Sequence, residues 1–101
     1  MEIILNFEKK KAVLKASGMI TTDYAHLLTE KLDEVLASNA NLLEIDFSAC
    51  RIICSTGIGN LVSFATTFAE KGGKVVIVKC SQNIYNLFTT IKIDEVLTFN
   101  L

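Results

Sequence analysis

The residues with the most chemical potential lie together in Cys54-Ser55-Thr56-Gly57-Ile58-Gly59, where a thiol, two hydroxyls and two glycines separate a strand-like run from a helical one. At such a junction free backbone N–H groups and the positive end of a helix dipole converge, so a phosphate is well tolerated there. Two readings of the hydroxyls follow. Either they bind or receive a phosphate, or Ser55 or Thr56 caps the helix while the glycines permit close packing. Cys54 also has two readings: a redox-sensitive thiol whose pKa a helix N-terminus lowers, or a plain buried cysteine.

Familiar enzyme patterns fail on spacing. A Cys-x5-Arg phosphatase loop starting at Cys54 needs arginine where Asn60 stands. A P-loop needs Lys followed by Ser or Thr after its glycines, and a dinucleotide fingerprint needs a third glycine at the position of Val62. A serine hydrolase needs a base for Ser55, yet His26 is the only histidine and falls between apolar positions of an earlier helix. Cys50 and Cys54 have no histidine at zinc-ligand spacing. No catalytic residue, metal ligand or cofactor is assigned.

The elements that must position this segment are read from periodicity. Glu2 to Phe7 and Ala12 to Ala16 alternate loosely around Lys9-Lys10-Lys11, as two strands joined by a turn do, and Gly18 closes the second strand. Thr21-Thr22-Asp23 offers capping side chains before a helix marked by Ala25, Leu28, Leu32, Val35 and Leu36, ending near Ala37. Leu42 to Phe47 reads as a buried strand. Ile58, Leu61, Val62, Ala65, Phe68 and Ala69 then mark a second helix, which Gly72-Gly73 terminates. Lys74 to Lys79 is the clearest strand, with a β-branched centre suited to burial on both faces. Ser81 caps a short helix carrying Ile84, Leu87, Phe88 and Ile91, and Val96 to Phe99 makes a last strand. Strands alternating with helices predict parallel pairs, and the initial hairpin makes the sheet mixed.

Composition narrows the function classes. The chain has 101 residues with ten Lys plus Arg against eleven Asp plus Glu, a net charge of −1, and no basic stripe beyond the three lysines of the turn, so nucleic acid is not the expected partner. Half of the residues are hydrophobic, enough for one compact domain over residues 1–101. No apolar run approaches the ~20 residues of a membrane span, so no direct membrane insertion is expected. The N-terminus does not suit a signal peptide, because its lysines follow the apolar stretch. Three cysteines, an odd count, favour a reduced, cytoplasmic protein.

Several landmarks appear in one order along the chain: Gly18-Met19-Ile20, Leu28-x-x-x-Leu32, Leu43 to Ser48, Ser55-Thr56-Gly57-Ile58-Gly59, Lys71 to Val75 and Leu87-Phe88. In this arrangement the chain resembles the STAS domain, the module shared by anti-sigma factor antagonists and sulphate transporters. The resemblance implies an α/β fold with a mixed four- to five-stranded sheet and helices mainly on one face. It also implies a bacterial, non-enzymatic regulator of transcription. Antagonists of this kind bind an anti-sigma factor that is itself a serine/threonine kinase, and that kinase switches them off by phosphorylating a serine. By motif position that serine is Ser55, with Thr56 as second choice. The implied partner surface comprises Thr21, Thr22, Asp23, Cys54, Ser55, Thr56, Gly57, Ile58 and Asn60. Two positions depart from the family: Cys54 replaces an aspartate that precedes the serine, and Thr21 replaces a second one, with Asp23 two residues on. The other role the resemblance allows is a non-phosphorylated scaffold or subunit of a signalling complex or lipid-transport assembly. A homodimer is left open.

Overall fold

The structure is a computed structural model that describes residues 1–91 and 97–100. Its first two strands, β1 (Glu2–Glu8) and β2 (Lys11–Ile20), form an antiparallel hairpin around Lys9-Lys10, with Lys9 at φ 54°. The pairing sets Ile3, Leu5 and Phe7 opposite Ala16, Leu14 and Ala12, which gathers the apolar half of the alternation on one face. Helix α1 (Ala25–Leu36) leads to β3 (Leu42–Ile53), α2 (Ser55–Glu70) to β4 (Lys74–Cys80), and α3 (Gln82–Thr90) precedes β5 (Thr98–Phe99). The strand order is β1-β2-β3-β4-β5, and every pair after the first is parallel. Helical crossovers are what parallel neighbours require.

A single core joins the layers. Ala12, Leu14 and Ala16 of β2, Leu43, Ile45 and Phe47 of β3, and Val75 and Ile77 of β4 are buried against Leu28, Leu32 and Val35 of α1, Leu61, Phe64 and Phe68 of α2, and Ile84 and Phe88 of α3. Gly72 ends α2 at φ +84°, and the Gly73 N–H donates to the Phe68 carbonyl at 2.8 Å, as the glycine pair predicts. Ser81 caps α3 by accepting from the Ile84 N–H at 3.4 Å.

Four expectations are corrected. Gly18 does not close β2: at φ +94° it lies at a shift in register, and the strand continues to Ile20. Glycine tolerates that backbone, so the strand goes on, and the extra residue at this shift is Arg51 on the facing strand β3. β3 likewise continues beyond Phe47 to Ile53, because Ala49, Cys50, Ile52 and Ile53 find partners on the extended β2. Thr21-Thr22-Asp23 does not cap α1; the N-cap is Tyr24, without a side-chain cap, and its N–H donates to the Thr21 carbonyl at 3.0 Å in the preceding turn. Finally, β4 is not buried on both faces: Val75 and Ile77 are buried, whereas Val76 and Val78 are half-buried on the side without helices. Ile91 caps the end of α3 and is exposed. The last strand contains Thr98 and Phe99, while Val96 lies outside the described residues.

Candidate functional site

The site begins where β3 ends. Ile20 and Ile53 are register partners at the ends of β2 and β3, and the Cys54 N–H donates to the Ile20 carbonyl at 2.8 Å. That bond ties the start of α2 to the strand beside it. The chain then turns through Cys54, an extended N-cap at φ −73° and ψ 165°, whose Sγ accepts from the Gly57 N–H at 3.4 Å. The capping reading of Ser55 or Thr56 is therefore corrected, because the thiol takes that role one residue earlier. Ser55 and Thr56 occupy the first two helical positions, exposed, and their hydroxyls have no hydrogen-bond partner among the described residues. The first turn of α2 carries no acidic side chain, so the helix dipole is uncompensated there.

Gly57 is buried beneath this turn. A Cβ added to it would lie 3.0 Å from Ile53 Cγ1 and 3.4 Å from Ile20 Cγ2, so the helix end rests directly on the two strand ends. Gly59 faces open space, with nothing within 4 Å of an added Cβ. Ile58 packs half-buried against the core. The Asn60 side-chain N–H donates to Thr29 Oγ1 at 2.8 Å, so Asn60 ties α2 to α1.

Thr21, Thr22 and Asp23 follow the end of β2, at the same end of the sheet as the Cys54 turn. Thr21 is half-buried, and Thr22 and Asp23 are exposed. The fold thus gathers both predicted loops at one end of the parallel strands.

Sequence reasoning missed three exposed residues beside these loops. Met19 and Ile52 are register partners, 51% and 50% exposed, and strand alternation places them on the helix-free side while Ile20 and Ile53 enter the core. Tyr24, 45% exposed, follows the Thr21 loop. The available signal was the doublets Met19-Ile20 and Ile52-Ile53, since a strand must send one apolar residue of each doublet to the outer face.

The remaining polar groups are distributed elsewhere. Burial pushes the Cys50 and Cys80 thiols above their ordinary pKa, so both are poor thiolates. Burial also pushes the Asp46 carboxyl up, but the Ser48 hydroxyl and backbone N–H, with Lys79 and Lys15, outweigh it and hold the group below the usual carboxylate value. His26 is exposed on α1. No group of three or more metal-ligating side chains occurs among the described residues. No described helix is long and apolar enough to cross a membrane.

Comparison with known proteins gives one consistent picture. A family model described as Mlab, STAS domain, matches residues 3–98. No curated protein matches the chain in sequence. Among solved structures, an anti-sigma factor antagonist from Mycobacterium paratuberculosis superposes with a TM-score of 0.85 at 19% identity, covering 97% of this chain and 83% of that one. The Bacillus cell fate determinant SpoIIAA in its phosphorylated form gives 0.77 at 11% identity, covering 97% and 90%. A sulfate transporter family protein from Wolinella succinogenes gives 0.76 at 18% identity, covering 92% and 79%. These likenesses establish a shared fold.

Proposed function

Since the chain belongs to the STAS domain family, we propose that it is a cytoplasmic regulatory binding protein of the anti-sigma factor antagonist kind, switched by phosphorylation at Ser55. The partner is an anti-sigma factor or related serine/threonine kinase, and Thr56 is the alternate acceptor. The observation that carries this reading is the state of Ser55: exposed, at the first position of α2, with Cys54 capping the helix in its place and no hydrogen-bond partner for its hydroxyl among the described residues. Support also comes from two similar folds, one named as an anti-sigma factor antagonist and one described in a phosphorylated form.

The geometry suits a switch. Ser55 Oγ attacks the γ-phosphorus of kinase-bound ATP, the bond from that phosphorus to the bridging oxygen breaks and ADP leaves, while the hydroxyl proton passes to a base of the kinase. The product carries about −1.5 to −2 charge at neutral pH. The free N–H groups and dipole of α2 accommodate that charge, so the fold survives. A partner seated on Met19, Ile52 and the Thr21 to Asp23 loop must desolvate the new charge, and binding weakens.

A second reading, a constitutive docking subunit of a signalling complex or lipid-transport assembly, is favoured by Cys54 and Thr21, which lack the carboxylates implied for a phosphorylated antagonist. Phosphopeptide mass mapping of the protein isolated from its own cells separates the two. A phosphatase-sensitive phosphate on Ser55 supports the switch, and one on Thr56 alone moves it by a residue. Complete coverage without phosphate in growth and stress, with a transporter ATPase co-purifying in place of a kinase, supports the docking subunit.

A further inference from the structure

The sheet has two edges of unequal character. β5 is only two residues long, whereas β1 runs for seven with an uninterrupted register against β2 and its outer side unpaired among the described residues. Edge strands that stay single are usually blunted by lysine, proline or a bulge. β1 has none of these between Glu2 and Glu8. Toward the helices it carries Ile3 and Leu5, half-buried, and Phe7, 46% exposed; Met1, 40% exposed, continues the same line. On the open side Ile4 is 42% exposed between Glu2 and Asn6.

We infer that two copies of the chain pair antiparallel through β1, about a two-fold axis at Ile4, to form one continuous sheet. Charge and apolar pattern select this register. A two-fold axis perpendicular to the sheet keeps the helix side of both copies on one face, so paired residues must come from the same side of β1. Centred on Ile4, the helix side pairs Met1 with Phe7 and Ile3 with Leu5, each twice, and the open side pairs Ile4 with itself and Glu2 with Asn6. Every exposed apolar residue of the strand is then covered, and no like charges meet. Centring on Leu5 sets Glu2 opposite Glu8, and centring on Asn6 sets Ile3 opposite Lys9 and Ile4 opposite Glu8. Cross-strand pairs of like charge are destabilising, and apolar pairs stabilise. The occupant is thus a second copy, because β1 complements itself.

Sedimentation equilibrium of the full chain tests this, and the Ser55 turn takes no part in it. The expected wild-type mass is that of a dimer. Ile4→Lys places two ammonium groups together on the axis and gives a monomer with an unchanged circular dichroism spectrum. Register is tested separately by oxidation and peptide mapping. Ile4→Cys forms a bridge between the two substituted positions, whereas in Asn6→Cys the equivalent positions lie ~13 Å apart along the strands and do not bridge. A wild-type monomer, a dimer that survives Ile4→Lys in a folded chain, or a bridge at Asn6→Cys but not at Ile4→Cys overturns the inference.

Discussion

The Cys54 thiol and the Gly57 backbone N–H meet at 3.4 Å across the first turn of α2. Sulfur is a weak acceptor, so this is a softer cap than an oxygen provides. Its consequence lies one residue on: with the cap supplied by Cys54, Ser55 is exposed and its hydroxyl has no hydrogen-bond partner among the described residues.

Replacing the sulfur should therefore strengthen the helix. Cys54→Asp supplies a charged oxygen cap at the positive end of the dipole and should stabilise the protein by ~0.5–1 kcal/mol. Thermal melting should show a rise of a few degrees, with Cys54→Ala moving the other way. Equal melting temperatures for Asp and Ala at this position would show that the cap contributes nothing.

Charge at Ser55 should separate binding from folding. Ser55→Asp is expected to weaken the kinase partner more than tenfold, at least ~1.4 kcal/mol, in titration calorimetry. The melting temperature of the same variant should stay level or rise, because an acidic group in the first turn of a helix is favourable. Unchanged affinity would remove the switch.

Two glycines of the chain should respond in opposite directions to alanine. Gly59 is helical with open space around it, so Gly59→Ala should stabilise by up to ~1 kcal/mol. At Gly73 an added Cβ would lie 2.6 Å from ring carbons of Phe68, which is buried and stacked on Phe64 with ring centroids 5.0 Å apart. Gly73→Ala should cost ~1–3 kcal/mol as overpacking. Urea midpoints of both variants against wild type would decide.

The thiols should alkylate in a set order. Cys50 is 1% exposed and burial raises its pKa, so both access and thiolate fraction are low. Iodoacetamide at mildly alkaline pH, followed by peptide mass analysis, should modify the half-exposed Cys54 well before Cys50. Early modification of Cys50 in the folded protein would contradict its burial.

Asp46 should lend stability that depends on pH. Its folded pKa is lowered, so its contribution is present above the unfolded value of about 3.9 and is lost as pH falls through the folded value. Melting curves between neutral pH and pH 3 should converge for wild type and Asp46→Asn at the acid end. A constant difference across that range would show that the carboxylate is not the source.

How much of this was legible in the sequence depends on the range of the interaction involved. Periods of two and of three to four residues set the element order, the hairpin and the apolar faces of β1 and the helices, because they record which side chains can share a side. The unbroken β-branched run of β4, by contrast, hid which of its faces the helices cover. Gly72-Gly73 and Ser81 marked helix ends correctly, since a left-handed glycine and an oxygen cap act within one turn. The Ser55 to Gly59 segment was likewise visible as a strand-to-helix junction. Tertiary structure alone decided what lay beyond local reach. β2 and β3 run past Gly18 and Phe47 because each finds its partner in the other, residues distant in sequence. That pairing buries Ile20 and Ile53 and leaves Met19 and Ile52 exposed, although all four are apolar. Cys54 became the cap because the Ile20 carbonyl fixes where α2 begins, and Asn60 was drawn to Thr29 by the packing of α2 on α1. Local side-chain chemistry determines which elements form, whereas long-range pairing determines which of two similar neighbours turns inward.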